Sequence, residues 1–214
     1  MLNHSGLIVF DMDSTLISIE CIDEIANLLG QRDAVAAITE QAMLGEIDFA
    51  ASLKQRVALL EGIETSLFDT LFNPIPLTPG AQSLVDYCKS RDWYCVVVSG
   101  GFTWFSERVA GQLGLDQHVA NELEINDGKL TGKVSGAIID GYKKAQILNE
   151  LKAKLPRNAP VVAVGDGAND QWMLQAADIG IAFCAKPLLR RQADICISQA
   201  DLSLVIPELE KRCK

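Results

Sequence analysis

Long apolar runs are missing from this chain. No stretch approaches about 18 uncharged apolar residues, so a membrane-spanning helix is not expected. Basic residues are scarce too: 19 Lys and Arg stand against 28 Asp and Glu, for a formal charge of −9 and a pI near 4.7. That field argues against nucleic acid as a bulk partner, although a few local cations and backbone N–H groups can still seat a small anion. The six cysteines (Cys21, Cys88, Cys95, Cys184, Cys196 and Cys213) form no Cys-x-x-Cys pair, and most sit inside apolar runs. They read as small buried hydrophobes in a reducing compartment, without a disulfide framework. No basic segment precedes the first apolar run, which is short and ends in Asp11. A secretory signal is therefore not expected, and a cytoplasmic location is. The two histidines, His4 and His118, lie in an N-terminal segment and a turn, and neither is given a role.

What is present suits one domain, or a core carrying a sizeable insertion, in 214 residues. A chain of this size buries roughly 70% of its unfolded surface and needs no staples. Gly6-Leu-Ile-Val-Phe10 reads as a buried strand that ends abruptly in Asp11-Met-Asp13. In extended backbone, side chains at i and i+2 point the same way, so both carboxylates are expected to project together from the strand end. Two carboxylates held together need a cation or a shared proton, and hard oxygen ligands of this kind suit Mg²⁺.

From about 17 to 74 the pattern is helical, over Cys21–Gly30, Asp33–Leu44, Ile47–Leu60 and Ser66–Leu71, with no strand candidate. Pro74-Ile-Pro-Leu-Thr-Pro79 marks the return to the main domain, because a helix cannot cross it. The expected division is a core of 1–16 and 75–214 with a helical cap of 17–74. Thr78 is expected to cap a helix running to about Arg91, with Pro79 at its first position. Trp93–Ser99 reads as a second buried strand, followed by Gly100-Gly101 and a helix from Phe102. Asn126-Asp127-Gly128-Lys129 signals a hairpin. A helix over Asp140–Leu155, a third strand over Pro160–Gly165 and short strands at Ile179–Phe183 and Ile195–Ile197 complete the pattern. The fold class is α/β: a Rossmann-like, doubly wound parallel sheet with a small helical cap and a β-hairpin flap.

Ligands of such sheets bind beyond the carboxyl ends of the strands. Three of those ends carry polar clusters: Asp11/Asp13, Ser99-Gly100-Gly101 and Asp166/Asn169/Asp170. Together they can run phosphoryl transfer. Asp11 and Asp166 supply oxygens to one Mg²⁺, Asp11 attacks phosphorus, and Asp13 moves the proton. The Ser99 hydroxyl and the N–H groups of Gly100 and Gly101, taken to be bare at a helix start, seat the phosphate. Lys144 adds positive charge.

In order, Asp11-Met-Asp-Ser-Thr15, Ser99, Lys144 and Gly165-Asp-Gly-Ala-Asn-Asp170 resemble the four motifs of the haloacid dehalogenase-like phosphohydrolases. The resemblance implies Asp11 as nucleophile, Asp13 as acid/base, and Mg²⁺ held by the Asp11 carboxylate, the Asp13 main-chain carbonyl and Asp166. Asn169 and Asp170 would complete the site. Within the insert, Glu20-x-Ile-Asp-Glu24, Thr39-x-x-Ala-Met43-x-Gly45-x-x-x-Phe49 and Lys54-Gln-Arg56 are similar to the cap of the family's phosphoserine-hydrolysing branch. So are Asp127-Gly-Lys-Leu-Thr-Gly132 and Ala182-Phe-Cys-Ala-Lys-Pro187.

That similarity implies O-phospho-L-serine as the small-molecule substrate, converted to L-serine and phosphate in the last step of serine synthesis. Glu20 would receive the ammonium and Arg56 the carboxylate, and Met43 and Phe49 would close an apolar lid. Two rivals share the fold: hydrolysis of a related phosphomonoester or phosphoryl transfer to homoserine, and a non-catalytic phosphoamino-acid sensor. Cys21, Gln171 and Tyr142-Lys143 depart from the usual pattern without removing a catalytic group. An N-terminal regulatory domain and its feedback control are not expected. Nucleic acid and membrane partners are not expected either, and the assembly is expected to be a monomer or homodimer.

Overall fold

In the computed structural model, residues 2–213 are described, with Met43 described in its backbone only. Among them, seven strands form one sheet: β1 (Gly6–Phe10), β2 (Trp93–Phe102), β3 (Gln117–Asn126), β4 (Lys129–Ser135), β5 (Val161–Gly165), β6 (Ile179–Phe183) and β7 (Ile195–Ile197). Their order is β4-β3-β2-β1-β5-β6-β7, parallel throughout except for β4, which returns antiparallel on β3 through the expected Asn126–Lys129 hairpin. Every residue of β1, β5 and β6 is buried, as a parallel sheet covered on both faces requires.

The helices are α1 (Cys21–Leu28), α2 (Arg32–Met43), α3 (Phe49–Ala58), α4 (Asp69–Phe72), α5 (Ala81–Ser90), α6 (Thr103–Leu113), α7 (Gly141–Lys152), α8 (Gln171–Ala176), α9 (Pro187–Arg190) and α10 (Ile206–Arg212). Strand periodicity divides the core between the two faces of the sheet. Ile8 and Phe10 pack with Leu84, Phe105 and Leu209 of α5, α6 and α10. Leu7 and Val9 pack with Leu148, Leu151 and Met173 of α7 and α8. Each such fully buried apolar side chain contributes about 1.5–3 kcal/mol.

The order of the strands decides where the site lies. β1 sits between β2 and β5, so the chain switches direction across the sheet at β1, and crevices open there at the carboxyl ends. Phe10 is in register with both Val97 and Val164, which puts Asp11 one residue beyond, level with the end of β5 and with the start of the irregular stretch that closes β2.

α1 to α4 leave and rejoin this core at a narrow neck. Ile17 bridges Leu77 antiparallel, Ser18 N donates to Pro76 O (2.9 Å), and Thr78 N donates to Leu16 O (2.9 Å). The sequence-based start of α5 needs correction. The helix begins at Ala81, and Gly80, at φ 77°, is its N-cap without a side-chain hydrogen bond from Thr78. The Asp201–Ser203 turn packs against Gly80, where any side chain would collide with it, and so sets the entry angle of the helix. Three cysteines also differ from expectation, Cys213 being only half-buried. Cys21, Cys88 and Cys95 are buried, but Cys184 and Cys196 are exposed; all six are free thiols.

Candidate active site

The first acidic pair is arranged differently from alternate positions of an extended strand. The strand ends at Phe10, and Met12–Leu16 form one wide helical turn closed by Ile17 N donating to Met12 O (3.0 Å). Asp11 caps that turn, accepting from Met12 N (2.8 Å). Asp13 is carried round it, so its Oδ1 accepts from Cys21 N at the start of α1 (2.9 Å), and its Oδ2 accepts from the Ser99 hydroxyl (3.5 Å). The hinge is Ser14, a non-glycine residue in the left-handed region at φ 55°. Its hydroxyl donates to Glu20 Oε1 (2.6 Å), so one strained residue separates Asp13 from the chain that delivers Glu20. Burial raises the carboxyls of both Asp11 and Asp13; for Asp11 the neighbouring Asp170 adds to this and Lys144 opposes it.

Beside Asp11 lies a fully buried cation. Lys144 Nζ is 2.7 Å from Asp11 Oδ1 and 2.7 Å from Asp170 Oδ1. Burial works against its charge, but Asp11 and Asp170 outweigh that and hold the ammonium above its ordinary value. The helix bearing it, α7, is capped by Asp140, whose side chain accepts from Lys143 N (2.8 Å). Asp170 Oδ2 accepts from the N–H groups of Asp166 (3.1 Å) and Gly167 (3.0 Å), which folds the loop after β5 into a fixed shape. Asp166 accepts from the buried Thr15 hydroxyl (3.3 Å), and burial followed by Asp170 pushes its carboxyl up to about 6.

Carboxylate oxygens of Asp11, Asp166 and Asp170 lie within 4.8 Å of one another. With Asp13 close by, four carboxylates face one ammonium; burial raises the carboxyls of Asp11, Asp13 and Asp166, and Asp170 adds to the rise at Asp11 and Asp166. A hard divalent cation fits such an all-oxygen, charge-deficient set.

The residues expected to seat the phosphate lie together, with one correction to their backbone. Gly100 and Gly101 do not open a helix; they are the bulged end of β2, and α6 starts at Thr103. Gly101 N–H is not bare, since it donates to Ser99 Oγ (2.8 Å). Both glycines answer close approach. A Cβ at Gly101 would collide with the Asp13 carboxylate, and one at Gly100 would stand 3.1 Å from Phe49 Cζ and 3.6 Å from Asn169 Nδ2. Phe49, from the helical insert, thus roofs the seat directly.

On the insert, Phe49, Ser52 and Arg56 recur at the three- and four-residue steps that align side chains along one face of α3. Arg56 Nε reaches back to Ser52 O (3.4 Å). Burial lowers the Arg56 guanidinium, opposed by Asp23, Glu20 and Asp13, which places all three carboxylates in its field. Glu20 is reached by solvent yet walled by protein, and desolvation and then Asp13 raise its carboxyl to about 7. The expectation for the Met43 side chain lies outside the described residues. His4 contacts Asp92 (3.1 Å) and His118 contacts Ser106 (3.1 Å), both away from this cluster.

Residues 8–175 match the haloacid dehalogenase-like hydrolase family. The chain belongs to that family. It is 56% identical over 204 residues to the phosphoserine phosphatase of Idiomarina loihiensis, covering 94% of this chain and 92% of that one. It is 48% identical to the phosphoserine phosphatase of Archaeoglobus fulgidus over 92% of this chain, spanning 57% of that relative's length. Among solved structures, a phospho-aspartyl intermediate analogue of phosphoserine phosphatase superposes with a TM-score of 0.87 at 41% identity, covering 95% of this chain and 98% of that one. A substrate-bound phosphoserine phosphatase complex gives 0.87 at 40% identity, over 95% and 97% of the two chains. The mostly parallel sheet carries its polar clusters at the strand ends, and no described helix is long and apolar enough to cross a membrane.

Thr15 belongs to the first motif, but its contact with Asp166 is visible only in the fold, and Asn121 sits in a strand with no motif around it. A buried polar residue in a half-buried strand is the only sign the sequence offers for Asn121.

Proposed function

We propose that this chain hydrolyses O-phospho-L-serine to L-serine and inorganic phosphate through an aspartyl-phosphate on Asp11, the last step of serine synthesis. In this reading residues 17–74 are the cap that selects the substrate. One observation carries the proposal: a buried ammonium, Lys144, paired at 2.7 Å with Asp11 at the strand ends, beneath an insert that brings the Glu20 carboxylate and the Arg56 guanidinium into the field of the same acidic cluster. Phosphoserine presents the complementary set of a phosphate, an ammonium and a carboxylate on a short stem.

The Asp11 carboxylate attacks phosphorus while Asp13 protonates the departing serine oxygen. Asp13 then takes a proton from the water that attacks the acyl phosphate, which frees phosphate and restores Asp11. Ser99, the seat backbone, Asn169 and Lys144 hold the phosphoryl oxygens, since phosphoryl transfer depends mainly on positioning and electrostatics. Asp11, Asp166 and the Asp13 main-chain carbonyl would hold Mg²⁺, with Asp170 completing its acidic surroundings. Bound there, the ion supplies positive charge to the phosphate oxygens.

Glu20 receives the substrate ammonium and Arg56 its carboxylate. Ser52, buried on the Arg56 face of α3, has a hydroxyl without a described partner, an orphan that a ligand oxygen would satisfy. The Phe49 ring keeps water from the seat.

Phosphate release from phosphoserine with Mg²⁺ tests the reading directly. Turnover is expected, and its absence, or transfer to homoserine in place of release, would overturn the proposal. Arg56→Ala should raise KM for phosphoserine about 100-fold and leave a substrate without a carboxylate, such as phosphoethanolamine, nearly unchanged. Equal losses for both substrates would remove Arg56 as the carboxylate reader.

Glu20 adds a pH limb. With its carboxyl at about 7, acid protonates it and removes the partner of the substrate ammonium. Relative to phospholactate, which lacks the ammonium, kcat/KM for phosphoserine should fall about tenfold per pH unit below that value and level off above it. Glu20→Gln should abolish the difference between the two profiles. For folding the sign is opposite. The folded value exceeds the ordinary 4.5, so Glu20's ionisation lowers stability as pH rises from about 4.5 to about 7.

A further inference from the structure

Asn121 is almost completely buried at 1% exposure, and no acid, base or substrate contact accounts for it. It lies where β2 and β3 lose register: the four steps from Val98 to Phe102 are matched by only two from Val119 to Asn121. The excess bulges out of β2 as Ser99-Gly100-Gly101. A bulge of this kind leaves backbone carbonyls without ladder partners.

The Asn121 carboxamide supplies the missing partner. Its Nδ2 donates to Gly100 O (2.8 Å) and Gly101 O (3.3 Å), while its Oδ1 accepts from Ile139 N (2.8 Å). With two carbonyls on one side and an N–H on the other, only this amide orientation satisfies all three contacts.

The peptide plane turns this bond into control of the seat. The Gly100 carbonyl and the Gly101 N–H belong to one rigid trans unit and point in opposite directions. Pinning the carbonyl to Asn121 therefore aims the N–H away from β3, where it donates to Ser99 Oγ (2.8 Å); that hydroxyl in turn faces Asp13 Oδ2 (3.5 Å). On its other side, Asn121 holds Ile139, the residue before the Asp140 cap of the helix that carries Lys144.

We propose that Asn121 is a positioning residue for phosphoryl transfer: its carboxamide fixes the Gly100–Gly101 peptide so that the Ser99 hydroxyl faces the reacting carboxylates, and it sets that seat in register with Lys144. This rests on the reading of Ser99–Gly101 as the phosphate seat.

Asn121→Ser and Asn121→Asp test it. Serine shortens the link, and aspartate keeps the acceptor for Ile139 N but sets an oxygen against the two carbonyls. Both variants should lose about 10- to 100-fold in kcat and weaken competitive inhibition by inorganic phosphate, because small misplacements of preorganised groups carry penalties of that size. KM effects specific to the serine ammonium and carboxylate should be absent, so phosphoserine and phosphoethanolamine should suffer alike. A variant that loses thermal stability yet keeps kcat and phosphate inhibition within about threefold overturns the proposal, since that is the signature of a packing role.

Should neither variant fold, the wild type still decides. In ¹⁵N spectra, inorganic phosphate should shift the Gly101 amide and the Asn121 side-chain amide together. Movement of the Gly101 amide with a fixed Asn121 signal overturns the link. If phosphate binds but phosphoserine is not turned over, it is the substrate reading that has failed and the seat that stands.

Discussion

Asp11→Asn should lower phosphoserine turnover by about 10⁴-fold or more while leaving the fold intact. A neutral amide oxygen is a far weaker nucleophile toward phosphorus than a carboxylate, so no acyl phosphate forms. The surroundings tolerate the change. Asp11 is buried, and its carboxyl is raised by that burial and by Asp170. Replacing it with a neutral isostere relieves carboxylate repulsion, while an amide oxygen can still accept from Met12 N. Lys144 retains its 2.7 Å bond to Asp170. The melting temperature should therefore stay level or rise as activity vanishes. Near-normal phosphate release by this variant would sink Asp11 as nucleophile, and a collapsed melting transition would contradict the electrostatic account.

Lys144→Met carries the second large effect, and here both activity and stability should fall. The side chain is fully buried and touches carboxylates on two different strand ends. Removing one partner of a buried ion pair leaves uncompensated charge and costs about 3–5 kcal/mol. For a chain of this size that is a drop of roughly 10 °C in melting temperature. Turnover should fall about 10³-fold with the loss of a preorganised charge at the phosphoryl group.

The pH dependence gives a check on sign. The folded ammonium titrates above its ordinary 10.5, so the stability it contributes is complete below 10.5 and is lost only as alkaline pH strips the proton in the folded state. Adding Asp170→Asn should restore part of the lost stability, because two carboxylates no longer face an empty position. If the double variant is no more stable than the single one, charge compensation is not what Lys144 provides.

How legible this site was in the sequence depended on the kind of signal each residue left. Asp11, Lys144 and Asp166 stand at the ends of strongly patterned elements, so their convergence follows from βα alternation alone. Asp13 was legible as a partner of Asp11, but for the wrong geometric reason. Extended backbone would have pointed both carboxylates one way, whereas a wide turn through Ser14 brings Asp13 round to Ser99 and the start of α1. The Gly100–Gly101 pair was legible as the end of a strand but not as a bulge, because a lost register depends on the neighbouring strand. The contacts of Thr15 and Asn121 were illegible, since each reaches partners distant in the chain that periodicity does not encode.

What the sequence by itself determined is the layer architecture, the helical insert and the identity of the acidic and basic groups, since these follow from local propensity and from runs of β-branched residues between helical segments. The tertiary structure alone decided which oxygen faces which proton. Lys144 lies between Asp11 and Asp170 because α7 packs against the loop after β5, and Phe49 roofs Gly100 because the insert folds back across the neck at Ile17 and Leu77. Contacts at this range are set by the packing of whole elements, and a charge buried by that packing has its protonation decided by neighbours far away in the chain.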